Sequence, residues 1–309
     1  MTATVFIDGA AGTTGLEIRD RLAGRSDLSV VVLDEARRKD SAARAEALND
    51  ADFVILCLPD DAARESVALI RNDRTRVIDA STAHRVAEGW VYGLAELDPD
   101  QPERIARAGR VANPGCYPTG FLALVRPLVR AGLLPTDARV GVNATSGYSG
   151  GGKAMIAEFE GGAANTAFRP YALALGHKHV PEMRQHAGLA HAPIFQPAVA
   201  NTYRGMVVEV PLHLAQFAPG TTPGDIDTVL MQAYPPGGLV RVSHGDAATL
   251  SIEDDAETDR MTLHMFSDPV EGHVRLIATL DNLGKGAGGA AVHNLNIMAG
   301  LDPLAGLVL

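Results

Sequence analysis

Cysteine is scarce in this chain, with two in 309 residues. That rules out a disulfide framework and points to a reducing compartment, and Cys57 and Cys116 offer no zinc-type spacing. Positive charge is also in short supply. A formal net charge of −10, with no Lys/Arg-rich run, argues against a general nucleic-acid binder. Nor is there an uninterrupted apolar stretch of about 18 residues, the length a membrane-spanning helix needs. The opening MTATVFIDG runs straight into a strand pattern and leaves no room for a signal peptide, so a cytoplasmic location is expected. What is present, 46% hydrophobic and 21% charged residues, is an ordinary globular composition. The length favours two domains over one core.

Thr4-Val5-Phe6-Ile7-Asp8 reads as a buried strand. The turn Gly9-Ala10-Ala11-Gly12-Thr13-Thr14-Gly15 follows, and Leu16, Ile18 and Leu22 then share one helical face. Strand, glycine-rich turn and helix in that order place backbone N–H groups and a helix N-terminus around a phosphate. The spacing is G-x-x-G-x-x-G and not the commonest dinucleotide fingerprint, and such glycines also mark ordinary tight turns. Leu28 to Leu33 reads as the second strand. Asp34 at its end could take the ribose hydroxyl of NAD, whereas Arg37-Arg38-Lys39 could pair with the 2′-phosphate of NADP. These cations outweigh one acid that can turn away, so NADP(H) is the expected cofactor. A solvated basic loop is the alternative.

Asp52 to Pro59, with Cys57 read as core, and Arg76 to Asp79 supply further strands. The βαβ alternation implies a parallel sheet covered on both faces. Arg85 leaves the fourth strand at its carboxyl end, where open α/β sheets bind ligands. It is a candidate anion ligand, with a surface ion pair as the bland alternative.

Asn113-Pro114-Gly115-Cys116-Tyr117-Pro118-Thr119 joins a short apolar run to Phe121, Leu122, Leu124, Val125, Leu128 and Val129 at helical spacing. A cysteine at such a junction meets unpaired N–H groups and the positive end of the helix dipole. Both favour the thiolate and make it nucleophilic at neutral pH. A buried structural cysteine is the competing reading of this segment alone. Downstream, Ser146-Gly147-Tyr148-Ser149-Gly150-Gly151-Gly152-Lys153 is a second glycine-rich loop. It is either a linker or, through Ser146, Ser149 and Lys153, a seat for phosphate or carboxylate. His177 and His179 in GHKHVPE lie on one side if the segment is extended. A general base for Cys116, oriented by Glu182, is more economical than a metal site without a third ligand.

Strand-like segments at Met206–Leu212, Thr249–Glu253, Met261–Phe266 and His273–Leu280, with little helix between them, imply a mixed or antiparallel sheet. A helix is expected from about Asp225 to Ala233, and another through Met298 that packs back on the first domain. The expected fold is α/β: a Rossmann-type NADP-binding domain over 1–115, completed by the C-terminal helix in 285–309. An α+β catalytic, substrate and oligomerisation domain covers 116–284.

Together these stretches resemble the N-acetyl-gamma-glutamyl-phosphate reductases of the shorter type, within the aspartate-semialdehyde dehydrogenase superfamily. The resemblance rests on GAAGTTG, VIDAS followed by Arg85 and VYGLAEL, NPGCYPT, TSGYSGGGK, GHKHVPE and DNLGKGAGGAAVHNLNIM, which span nearly the whole chain. NPGCYPT with HKHVPE is the specific part. Ala11-Gly12-Thr13 stands where Ser-Gly-Tyr is usual, and Lys178 where arginine is common. The resemblance implies NADP-dependent reduction of N-acetyl-gamma-glutamyl phosphate to its semialdehyde with release of phosphate, a step of arginine biosynthesis. Cys116 would form a thioester, His177 would move the proton and His179 would stand second. Arg85 would hold the substrate phosphate and Arg204 its other anionic end, or the two roles would be exchanged, with His179 and Glu182 lining the substrate. Cofactor contacts would come from Gly9, Gly12, Thr13, Thr14, Gly15, Arg37 and Arg38, and from Ser146, Gly147, Ser149, Gly150, Asn282 and Lys285. It implies a small-molecule acyl-phosphate substrate, no nucleic-acid or membrane partner, and a homo-oligomer, dimer or tetramer.

Other readings share parts of this pattern. A sister enzyme acting on aspartyl phosphate would keep the mechanism, and HKHVPE argues against it. A non-catalytic NADP-binding sensor would carry an unreactive Cys116. A cysteine hydrolase would leave the first domain without a purpose.

Overall fold

The computed structural model describes residues 2–243 and 247–309, which form two units. The first comprises Met1–Ala95, Asp100–Gly115 and Ala287–Leu307. Its strands are β1 (Ala3–Asp8), β2 (Leu28–Val31), β3 (Phe53–Leu56), β4 (Arg76–Asp79), β5 (Val91–Tyr92) and β6 (Arg110–Ala112). Helices α1 (Thr13–Leu22), α2 (Ser41–Asp50), α3 (Asp60–Leu69) and α4 (Gln101–Arg107) alternate with them. The sheet order is β2-β1-β3-β4-β6-β5, with every pairing parallel.

Alternation along β1 feeds two cores. Val5 and Ile7 pack with Ile18, Leu22, Ile105 and Leu295, the last from the C-terminal helix Gly289–Ala299. Phe6 points the other way, to Leu48, Val54, Ala63 and Val77. Each such side chain contributes roughly 1.5–3 kcal/mol by leaving water. Val30 and Val32 stay exposed because β2 is an edge strand, and it ends before the apolar run does. Asp8, buried at the end of β1, takes Arg44 of α2 at 3.0 Å and Ser66 of α3 at 2.9 Å. This pair ties the start of the glycine turn to both helices.

The second unit comprises Glu96–Pro99, Cys116–Gly286 and Val308–Leu309. It contains α5 (Cys116–Arg130), β7 (Gly141–Gly147), α6 (Gly152–Glu160), β8 (Phe168–Pro170), α7 (Val180–Ala187), β9 (Ile194–Ala200) and β10 (Met206–His213). Then come α8 (Pro223–Ala233), β11 (Val240–Ser243), β12 (Met261–Asp268) and β13 (His273–Leu280), and the chain's last helix is α9. The sheet order is β11-β12-β13-β10-β7-β9-β8, and it is mixed: β7–β9 and β11–β12 are parallel, the other pairs antiparallel. Helix α5 lies close on this sheet because Gly120 leaves room for Val208, whose side chain comes within 2.8 Å of where a Cβ would be.

One expectation changes, and one strand was not anticipated. Thr249–Glu253 is not a strand but leads into a turn, in which Asp254 accepts a hydrogen bond from the Ser251 N–H at 2.9 Å. A polar side chain close in sequence competes successfully with a sheet ladder there. Conversely, β9 carries Pro197 in its interior, a residue that reads against a strand. Its carbonyl instead receives the Tyr171 N–H at 3.0 Å. No helix among the described residues is long and apolar enough to cross a membrane.

Candidate active site

Cys116 is the first residue of α5, where backbone N–H groups lack intrahelical partners and the dipole favours negative charge. The approach to it is fastened at Asn113. The Asn113 N–H donates to the Asp79 carbonyl at 2.8 Å, and its side-chain amide donates to Ala287 at 3.0 Å. Its side-chain oxygen accepts from Asn294 at 3.0 Å. Arg85, expected on the substrate phosphate, is buried and donates to the Asn113 carbonyl at 3.0 Å and to Ala80 at 3.2 Å. Beside Cys116, Gly286 leaves no room for a side chain: a Cβ there would lie 2.8 Å from the Cys116 Cβ. Cys57 is a different kind of cysteine. Burial, reinforced by Asp79 and Asp8, pushes its thiol up to about 12, so it is inert at neutral pH.

The histidines do not lie on an extended strand. His179 is the N-cap residue of α7 in helical conformation, and the preceding chain turns through Leu175 at a φ of 63°. The turn still brings the rings together, with centroids 4.7 Å apart. The His179 N–H donates to Nδ1 of His177 at 3.1 Å, so the neutral His177 ring carries its proton on Nε2. Glu182, expected to orient the base, sits instead 4.0 Å from Nε2 of His179, because both belong to the start of α7. Edges of Tyr117, Tyr171 and Phe195 enclose His177. Tyr171 donates to the Tyr117 hydroxyl at 3.2 Å, and Tyr117 donates to the Ala198 carbonyl at 3.1 Å. Burial pushes Tyr171 up to about 12 and Tyr117 well above its ordinary value, so both stay neutral donors.

In the first unit, the turn before α1 fits a dinucleotide phosphate. Gly9 has φ +88°, and a Cβ on it would meet the Cys57 carbonyl at 2.3 Å. A Cβ on Gly15 would lie 2.6 Å from the Gly9 carbonyl. Gly12 is the N-cap and supplies no side-chain cap, which leaves the first-turn N–H groups at Thr13, Thr14 and Gly15 for an anion. One oxygen of Asp34 accepts from the Arg37 N–H at 2.9 Å, which engages that side of the carboxylate in the turn. Arg37 and Arg38 are exposed and pair with Glu46 at 3.1 Å and Glu35 at 2.7 Å. Such surface pairs are weak. Gly15→Ala should cost about 1–3 kcal/mol through overpacking. Chemical denaturation checks this, and an unchanged midpoint would mean that the turn opens freely.

The expected second-unit cofactor residues are tightly interlocked. Ser146 donates to the Gly147 carbonyl at 3.0 Å. Asn282 donates to Ser149 at 2.9 Å and accepts from the Gly205 N–H at 2.9 Å. A Cβ on Gly147 would strike the Tyr203 carbonyl at 2.6 Å, and one on Gly150 would lie 3.0 Å from the Ser146 hydroxyl. Arg204, assigned to a substrate anion, lies 3.4 Å from the buried Asp281. Lys285 departs furthest from expectation. It is 1% exposed, and its ammonium sits 2.6 Å from Glu96, which spends the charge inside the unit. Sequence reasoning missed Glu96, Tyr171, Phe195 and Gly286. Glu96, within the quoted VYGLAEL, and Gly286, within the quoted DNLGKGAGG, lay in motifs already singled out, and Tyr171 and Phe195 did not.

Comparison with known proteins fits this geometry. Residues 4–105 match the family model described as semialdehyde dehydrogenase, NAD binding domain, and residues 116–282 match its dimerisation domain. The N-acetyl-gamma-glutamyl-phosphate reductase of Mesorhizobium japonicum is 51% identical over 97% of this chain and 100% of its own. N-acetyl-gamma-glutamyl-phosphate reductase 2 of Pseudomonas putida is 51% identical over 97% of both chains. The crystal structure of aspartate semialdehyde dehydrogenase II from Vibrio cholerae, complexed with ASA, superposes with a TM-score of 0.78. It is 16% identical and covers 97% of this chain and 98% of that one. At that identity the likeness shows the fold alone. The sequence relatives carry the finer assignment, and the chain belongs to the N-acetyl-gamma-glutamyl-phosphate reductase family of semialdehyde dehydrogenases.

Proposed function

We propose that the chain reduces N-acetyl-gamma-glutamyl phosphate to N-acetylglutamate 5-semialdehyde with NADPH, through a thioester on Cys116. The observation that carries this is the placement of Cys116 at the N-terminus of α5, in the same unit as the His177–His179 cluster. The Cys116 thiolate attacks the acyl carbon, and the carbon–oxygen bond to phosphate breaks. Phosphate leaves with the electron pair and takes a proton from solvent. NADPH, when bound, would supply a hydride, two electrons with one hydrogen, to the thioester carbon. His177 Nε2–H donates a hydrogen bond to the oxygen on which negative charge develops, which is the oxyanion-stabilising role. The carbon–sulfur bond then breaks, aldehyde leaves, and the thiolate is restored.

The family relatives support the acyl group, and Arg37 and Arg38 support NADP over NAD. A working thiol also suits the reducing cytoplasm, and we read the chain as a homo-oligomer there. The test runs the reaction in reverse. NADP reduction should depend on inorganic phosphate with N-acetylglutamate semialdehyde and be far slower with aspartate semialdehyde. Equal rates with both aldehydes, or no need for phosphate, would overturn the reading.

The cofactor preference has its own expected result. Replacing Arg37 and Arg38 by alanine should weaken NADPH binding and change NADH binding much less. Each charge-assisted contact to the 2′-phosphate is worth roughly 1.5–3 kcal/mol when well formed. A fluorescence titration decides it, since equal loss for both cofactors would make the cluster a structural one.

A further inference from the structure

A fully buried lysine is costly, since each ion loses several kcal/mol of hydration and only close pairing offsets it. Lys285 meets that condition with Glu96 at 2.6 Å. What surrounds the pair gives it a use. Glu96 belongs to the short segment Glu96–Pro99, which lies in the second unit. Asp98 of the same segment grips α5: Arg126 at 3.0 and 2.9 Å, and Arg130 at 2.9 Å. Burial works against the Asp98 carboxylate, yet its bonds to both arginines hold it below the usual range.

At its other end the pair reaches the turn that touches the nucleophile. Gly284–Gly288 is a π-helical turn, in which the Gly286 N–H donates back to the Asp281 carbonyl at 2.9 Å. Such turns are rare and frequent at functional sites. Its head is pinned by the buried Asp281, which accepts from the N–H groups of Leu283 at 2.7 Å and Gly284 at 2.8 Å. Lys285 pins the middle. The next residue, Gly286, lies against Cys116, with 2.8 Å from its absent Cβ to the cysteine Cβ and 3.3 Å to the Cα.

We propose that the Glu96–Lys285 ion pair is a positioning clamp for Cys116. It closes a ring that runs from Cys116 along α5 to Arg126 and Arg130, through Asp98 to Glu96, across to Lys285 and back through Gly286. Lys285 is therefore a positioning residue and not a cofactor ligand. The ring sets how the first turn of α5 presents its N–H groups to the thiolate, since neither the helix nor the π-turn can shift alone. The inference deepens the thioester reading and rests on it for its purpose, though not for its test.

The test follows the pH profile of Cys116 alkylation by iodoacetamide in the full-length protein, assigned by peptide mass spectrometry. It requires no turnover, so a failed reductase assay and a failed clamp remain distinguishable. Lys285→Met should move the profile to higher pH and lower the neutral-pH rate about threefold or more, because thiolate support is lost. NADPH affinity should hold, and kcat should fall with little change in KM for the aldehyde. Asp98→Asn cuts the ring at the α5 end and should move the profile in the same direction. A folded Lys285→Met with the wild-type profile would make the pair a mere stabiliser. Loss of NADPH binding with the profile intact would make Lys285 a cofactor ligand, and either result overturns the clamp. If Lys285→Met does not fold, Asp98→Asn decides alone: an unshifted profile rejects the proposal.

Discussion

Cys116→Ser should lower turnover by several orders of magnitude while leaving NADPH affinity close to that of the wild type. A helix N-terminus that favours a thiolate does little for a serine hydroxyl, whose pKa lies far above neutral. An ester, even if formed, accepts hydride less readily than a thioester. Cofactor binding should survive because the phosphate-cradling turn at Gly9–Gly15 belongs to the first unit and Cys116 to the second. Steady-state rates and a fluorescence titration of NADPH measure the two halves of this expectation. A serine variant that kept more than about a tenth of wild-type activity would remove covalent catalysis by this residue.

The second large effect belongs to His177. His177→Asn should lower kcat by about 10²–10³, the usual worth of one oxyanion-stabilising hydrogen-bond donor. With Nδ1 accepting the His179 N–H, the ring offers Nε2–H to the substrate oxygen and not a lone pair to the thiol. Alkylation of Cys116 at neutral pH should therefore change little, because α5 and not the imidazole supports the thiolate. If alkylation falls in step with turnover, His177 is the base that ionises Cys116. His179→Asn is the internal comparison. Its ring lies beside the buried Glu182, so its loss should act on apparent substrate affinity more than on kcat. The reverse pattern would exchange the roles of the two histidines.

What the sequence made legible follows from how local each signal was. The first unit was readable because β1, the glycine turn and α1 are contiguous, and each glycine answers a contact a few residues away or on the adjacent strand. Cys116 was readable for the same reason, since strand, turn and helix adjoin it. The second sheet was less so. Pro197 disguised β9, and a polar turn stood where Thr249–Glu253 was expected as a strand. The partners of Glu182 and Lys285 were invisible for a deeper reason. Glu182 lies 4.0 Å from the histidine that shares its helix start, a matter of where α7 begins. Lys285 finds Glu96 across 189 positions, a distance over which charge patterning in one sequence says nothing.

The central claim is a covalent acyl group on Cys116, and one measurement reads it directly. The protein is mixed with N-acetylglutamate semialdehyde and NADP without phosphate, quenched in acid after one turnover, and digested for mass spectrometry. Without phosphate the thioester has no partner to release it quickly, so an N-acetylglutamyl adduct should appear on the peptide carrying Cys116. NADPH should form in step with it, one per adduct, and the Cys116→Ser protein should show neither. NADPH formation with no adduct on Cys116, or an adduct on any other residue, would contradict the account.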